Sequence, residues 1–207
     1  EIVHLAEKLS IPIITTFNGI TAVDMSHAQV FGPLSRSGSM LGTEILAEAD
    51  AFFALGNSLN GPSTGRWTMK MPEKIYQIDI DPEMLGRHYP NTVGVWGDVK
   101  VCVGYILDHL GDISPSSSQS EWLDYCQSKY SNWHEKYIQP FHNNPASPVY
   151  PQTVVQAIAD LADDNAIFSV DAGNPGIWTH IMPLKKNQFY MKPVGFGNMA
   201  FSIPAAI

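Results

Sequence analysis

The hydrophobic positions of this chain change period repeatedly along its length. In "EIVHLAEKLS", Ile2, Leu5, Ala6 and Leu9 fall at helical spacing and predict an amphipathic helix. "IPIITTF" follows, a β-branched run that predicts a buried strand, and Asn18-Gly19 closes it as a turn signal. Residues 20 to 37 keep neither period and are expected to form a loop. "SMLGTEILAEAD" returns to helical spacing. "AFFALGNSL", "KIYQIDIDP", stopped by Pro82, and "TVGVWGD" predict three more strands, and "VKVCVGYILDHL" another helix. Strands that alternate with helical segments of about a dozen residues imply right-handed crossovers and a parallel sheet covered on both faces.

The pattern then breaks. "GDISPSSSQS" is rich in Ser and carries Pro, the composition of a linker. A polar, aromatic-rich helix is expected over "EWLDYCQSKYSNWHEKY", and "NNPASPVYP" reads as a second loop. From Pro151 the alternation restarts: helix "PQTVVQAIADLAD", strand "AIFSVDAG", helix or turn "NPGIWTHIM", strand "NQFYMK", and a glycine turn opening a helix in "GFGNMAFSIPAAI". Two α/β units are expected, with residues 1–111 as the first, 112–149 as linker and connecting helix, and 150–207 as the second. The chain starts inside a helical pattern without Met and stops just inside another, so both ends are expected to be cuts in a longer polypeptide.

Composition narrows the function classes. A hydrophobic fraction of 44% and a charged fraction of 15% over 207 residues fit a globular core. A net charge of −8, with 12 Lys and Arg in the whole chain, argues against nucleic-acid binding. No apolar run reaches transmembrane length, and no signal-peptide pattern opens the chain. Cys102 and Cys126 are too few for a disulfide scaffold and no Cys/His cluster has zinc spacing, so both are expected as reduced thiols of a cytoplasmic protein.

The candidate chemistry lies at strand ends. In open parallel sheets, ligands sit outside the carboxyl ends of the strands. "FSVDAGNPGIW" ends a strand at Asp171 and opens a helix after Gly173, where the backbone can approach a phosphate and Asn174 can donate to it. An ordinary capped turn would read the same way. "GFGNMAFSIPAAI" repeats the logic, with Gly195 and Gly197 freeing the backbone and Met199, soft and adaptable, placed to press on a flat ring or to fill a core. In the first unit, "TTFNG", "GNSLNG" and "IDIDP" end strands with small or polar residues. Asp79 and Asp81 there suit a ribose hydroxyl, and Asp81 equally suits the cap of a helix after Pro82.

Taken in order, these segments resemble the thiamine-diphosphate-dependent enzymes of the pyruvate oxidase and acetolactate synthase type. "IDIDPEMLGRHYPNTVGVWGD" resembles the family's central-domain signature, and "GTEILAEADAFFALG" its alanine-rich helix and following strand. "YPQTVVQAIADLADDNAIFSVDAGNPGIW" resembles the start of its diphosphate-binding domain, and "GFGNMAFSIPAAI" its G-x-G-x-M-x-x-x-x-P-A-A-I-G element. The D-x-G-x-P-x-x-W pattern and the Met-Ala pair lean toward the quinone-linked pyruvate oxidases. The resemblance implies a parallel α/β central domain of the nucleotide- or FAD-binding kind, lacking its first strand, followed by part of an α/β thiamine-diphosphate-binding domain.

By the same resemblance, Gly173, Asn174 and Pro175 match the loop at the tail of thiamine diphosphate, and Gly197 and Met199 match the element that holds its aminopyrimidine. The activating glutamate and the Mg²⁺ ligands of the family's G-D-G…N-N motif are expected outside this chain, so no catalytic residue and no metal ligand is assigned. In flavin-containing relatives the central domain holds FAD, and Thr16, Phe17, Met40, Gly56, Asp79, Asp81 and Asp98 occupy matching positions. Some relatives carry an arginine-rich stretch where this chain has "GNSLNGPSTGRW", with Ser58 in the first arginine slot and Arg66 displaced, which leaves FAD open. The implied activity is decarboxylation, oxidation or acetolactate-type carboligation of a 2-oxo acid such as pyruvate, in a homodimer or tetramer. The competing reading is a nucleotide-binding module without catalysis, or a degenerate homologue, on the same sheet.

Overall fold

The computed structural model of this protein describes residues 1–34, 40–193 and 195–207. Its elements follow the alternation of the sequence. Helix α1 (Ile2–Leu9) buries Leu5 and Ala6 and ends at Ser10 in the left-handed conformation. Strand β1 (Ile13–Thr16) pairs in parallel with β2 (Val30–Leu34). After α2 (Met40–Glu48), β3 (Ala51–Leu55), β4 (Lys74–Asp79) and β5 (Val93–Trp96) pair in parallel in chain order, and α3 (Val99–His109) follows. Helix α4 (Ser117–Tyr137) leads to the second unit of α5 (Pro151–Leu161), β6 (Ile167–Ser169), α6 (Asn174–Trp178), β7 (Phe189–Met191) and α7 (Ser202–Ala206). β6 and β7 are parallel, with Ser169 opposite Met191.

Three local expectations change. The stretch read as loop contains β2. Gly32 and Pro33 break its alternation, yet four of its five residues are buried against β1 and α2, so tertiary pairing overrides the weak local signal. Part of that expected loop, and the first residue of the following helical pattern, lie outside the described residues. The serine-rich linker is shorter than expected: Ser116 caps α4 in a capping box with Gln119, so the helix absorbs Ser117 to Ser120. Strand β4 stops at Asp79 rather than running through "DIDP", and Ile80 is exposed.

The first unit's sheet also differs from the continuous one expected. Among the described residues its strands form two ladders, β1–β2 and β3–β4–β5, with none joining β1 to β3. Doubly wound sheets commonly run 3-2-1-4-5-6. Counting β1 as the second strand makes β1–β2 the 2-3 pair and β3–β4–β5 the 4-5-6 triplet. The break between the two ladders falls where that order places strand 1.

Three apolar clusters hold these pieces. Phe31, Leu41 and Ile45 pack with Cys126 of α4, and Trp122, Leu123 and Trp133 close over them, so the connecting helix docks on β2 and α2. Ala54, Leu59 and Ile75 form the core under the loop after β3. The third cluster joins Val155, Ala159, Val170, Met182, Leu184 and Tyr190 of the second unit to Ile20 of the first, with Met25 packed alongside. The loop after β1 therefore inserts into the second unit's core, and the two units share buried apolar surface rather than only a tether. Both cysteines are free thiols. No helix among the described residues is long and apolar enough to cross a membrane.

Candidate functional site

Sequence places one glycine element after β6 and the other before α7. The fold brings them together through Asp171. Its Oδ1 accepts the backbone N–H of Phe201 at 2.6 Å and of Ser202 at 2.8 Å. These bonds satisfy N–H groups at the start of α7, which has no side-chain cap within its own segment. They also hold the Asp171 carboxyl below its ordinary value, with the Ser202 N–H the largest contributor. Ala172 N–H adds a backbone bond to Asn198 O at 3.5 Å.

The surface between the elements is open. Gly173 sits at φ 95 and Gly197 at φ 65, a region in which L side chains are strained. A Cβ on either, or on Gly195, would meet no atom within 4 Å. Gly173, Asn174, Pro175, Gly197 and Met199 are all exposed, Met199 at 81%. The Oγ of Ser169, at the carboxyl end of β6, is buried without a hydrogen-bond partner, as is Nε2 of Gln156 in α5. Two backbone approaches free of side chains leave room for a phosphate-bearing ligand.

The residues of the first unit lie at the carboxyl ends of its strands and have local duties. Gly56, at φ 59, follows β3 and gives its N–H to Ile78 O at 2.8 Å. Asp79 ends β4, is buried, and accepts the Asp81 N–H at 3.0 Å. Asp81 caps the turn at Pro82–Met84, accepting the Glu83 N–H at 3.0 Å, and Asp98 caps α3 through the Val101 N–H at 3.0 Å. Thr16 Oγ1 accepts the Gly19 N–H at 3.1 Å, and Met40 opens α2 exposed. Gly56, Asp79, Asp81 and Asp98 gather along one edge of the β3–β4–β5 ladder, whereas Thr16 ends β1 and Met40 opens α2. Phe17 crosses to the second unit, where its ring meets His180 edge-on, centroids 3.8 Å apart.

Some side chains that the fold singles out carried no sequence signal. Asp171 reads as the end of a strand, and nothing local shows that its carboxylate reaches thirty residues onward. Lys192 follows β7, half-buried, and burial drives its amine down to about 7. Ser169 and Gln156 sit in apolar-looking elements, and only the fold shows that their polar atoms are unspent.

A family model described as "Thiamine pyrophosphate enzyme, central domain" matches residues 1–106, just over half of the chain. The chain belongs to the thiamine pyrophosphate enzymes. Among relatives in that family, the acetolactate synthase large subunit of Parasynechococcus marenigrum (strain WH8102) is 27% identical over 205 residues, which is 98% of this chain and 32% of the relative. The sulfoacetaldehyde acetyltransferase of Roseovarius nubinhibens is 29% identical over 223 residues, 99% of this chain and 37% of the relative. A putative thiamine pyrophosphate-containing protein of Bacillus subtilis (strain 168) is 26% identical over 209 residues, 100% of this chain and 35% of the relative. The chain thus spans about a third of the length of these thiamine pyrophosphate enzymes.

Proposed function

We propose that this chain is part of a thiamine-diphosphate- and Mg²⁺-dependent enzyme that acts on a 2-oxo acid such as pyruvate. The observation that carries the reading is the pair of Asp171 bonds that draw the Gly173 loop and the Gly197–Met199 element side by side with their glycine faces open. Gly173, Asn174 and Pro175 would hold the diphosphate tail of the cofactor, and Gly197 and Met199 its aminopyrimidine. When bound, thiamine diphosphate supplies a carbon nucleophile for the keto carbon and an electron sink as carbon dioxide leaves. The chain's own part is to fix the backbone of both elements through Asp171, to offer N–H donors at the Gly173 turn, and to cover the ring with Met199. Among the described residues no cluster of three His, Cys, Asp or Glu could hold a metal ion. The Mg²⁺ ligands and the activating glutamate are assigned to the rest of the longer protein.

Relatives named acetolactate synthase favour carboligation to acetolactate over plain or oxidative decarboxylation. The ladder break between β1 and β3 is proposed to take a strand from the longer polypeptide, and each complete site to form between subunits of a homodimer or tetramer. Assay of the intact protein with pyruvate, thiamine diphosphate and Mg²⁺ tests the reading: cofactor-dependent release of carbon dioxide with acetolactate supports it, and no cofactor-dependent consumption of any 2-oxo acid rejects it. FAD is a second reading of the edge where Gly56, Asp79, Asp81 and Asp98 gather. A flavin absorbance band in the intact protein supports that reading, and its absence after reconstitution with FAD removes it.

A further inference from the structure

Lys192 takes no part in the reading above, yet it stands where the strand carboxyl ends of the two units meet. Its Nζ lies over the ring of Phe17 and 3.3 Å from Nε2 of His180. A Cβ on Gly176 of α6 would lie 3.9 Å from Phe17 Cζ, so the same ring also borders the Gly173 loop's helix. Three segments enclose the amine: the loop after β1, the turn at Thr179–Ile181, and the end of β7. It is not sealed, because Lys192 stays partly exposed.

An enclosed ammonium ordinarily has a carboxylate beside it. The ion pairs among the described residues are His27–Glu7, Lys129–Glu44, Lys129–Glu48, His142–Asp160 and Lys185–Asp164, and none brings a carboxylate to Lys192. Among the described residues, the titratable group within hydrogen-bond distance of it is His180, which brings no negative charge. Burial alone accounts for the fall of the amine to about 7. The positive charge is costly here until an anion arrives.

We infer that Lys192, framed by Phe17 and His180, is an anion-binding site for a carboxylate or phosphate group that enters at the strand carboxyl ends. The inference rests on the proposed function for the two anions nearest at hand, the carboxylate of a 2-oxo acid and the diphosphate of the cofactor. Binding restores the ammonium, which donates to the anion's oxygen, and takes up a proton near neutral pH. Phe17 then braces the amine from the first unit, so the site exists only while the two units are docked.

Competitive acetylation of the intact protein, read peptide by peptide by mass spectrometry across pH, tests this without cofactor or turnover. The free protein should show a Lys192 midpoint near 7. Inorganic pyrophosphate in one arm and pyruvate in the other should raise it by about one unit or more in the arm that carries the natural anion. Labelling at about pH 8 should then fall roughly twofold for a rise of one unit and about tenfold for a rise of two. A response to pyrophosphate alone assigns the site to the cofactor's tail, and a response to pyruvate alone to the substrate's carboxylate. An ordinary lysine midpoint, or no response to either anion, overturns the inference. Lys192→Arg should keep the anion's affinity within about threefold and Lys192→Met should lose about tenfold; equal losses would mean a packing role and would also overturn it. If Lys192→Met does not fold, the labelling of the unaltered protein decides alone. Failure to bind thiamine diphosphate would sink the proposed function while leaving a pyrophosphate response intact, so the two can fail separately.

Discussion

Asp171 ties the second unit's two loops into one surface. Replacing it with Ala removes both acceptor bonds and frees the segment before α7. Thiamine diphosphate affinity of the intact protein should drop roughly tenfold, because a preorganised element becomes one that must be ordered on binding. Its carboxyl is held below the ordinary 3.8, so the tie is fully present above that value and is lost only as pH falls through the lowered one. Cofactor binding should therefore show no Asp171-linked loss between neutral pH and about pH 4. Cys126 behaves in the opposite sense. Burial, first, and the nearby Glu48 push its thiol up to about 12 from 9.0. Its contribution to stability is complete below 9.0 and fades as pH climbs toward 12, so unfolding midpoints should fall on that alkaline limb, and Cys126→Ala should flatten the fall. A thiol reagent at neutral pH should label Cys102 well before Cys126.

The docking of one element on another depends on a few buried polar contacts. Gln77 of β4 is 1% exposed. Its Nε2 donates to Asn57 O at 2.9 Å and Met84 O at 3.0 Å, and its Oε1 accepts the Gly86 N–H at 2.9 Å. It clamps the loops after β3 and β4 to the strand that carries Asp79. Gln77→Leu leaves three backbone groups unpaired and should cost about 3 kcal/mol in chemical unfolding. The contact of α4 with α2 is more exposed: Lys129 Nζ and Tyr125 OH both donate to Glu48 at 2.8 Å. Solvent screens this pair, so Glu48→Gln should cost only about 0.5 kcal/mol. The sequence disclosed α1, α3, α5 and the strands with a clean period, because their apolar positions recur at the spacing of the element. It hid β2, since Gly32 and Pro33 erase alternation in a strand whose burial comes from its neighbours. It also hid the clamp by Gln77, which in sequence is one polar residue in a strand.

Across the whole molecule, the parallel α/β class could be read from the alternation of periods, while the packing of residues 17 and 20 against the chain after Pro151 could not. Ile20 opens a stretch with loop composition and Phe17 ends a predicted strand, yet Ile20 enters the second unit's core and Phe17 lies under Lys192. Such long-range packing leaves no local pattern. The candidate site was legible as two glycine turns, and its coherence was not, because a carboxylate at residue 171 meets amides at 201 and 202 only once the chain has folded. Among the described residues, no strand pairs with β1 or β3 across the break between them. Hydrogen exchange should therefore be fast at Ile13–Thr16 and Ala51–Leu55 edge amides in residues 1–207 alone and slow in the intact protein. Equal exchange in both would show that no strand enters the gap.

The central claim is that the Gly173 loop and the Gly197–Met199 element together grip thiamine diphosphate. Equilibrium titration of the intact protein with thiamine diphosphate and Mg²⁺, followed by tryptophan fluorescence, tests it most directly, with the unaltered chain set beside Gly173→Ala and Met199→Ala. The account predicts saturable binding by the unaltered chain and a loss of about tenfold or more in each variant, with far-ultraviolet circular dichroism unchanged. No binding by the unaltered chain, or equal binding by all three, would contradict it.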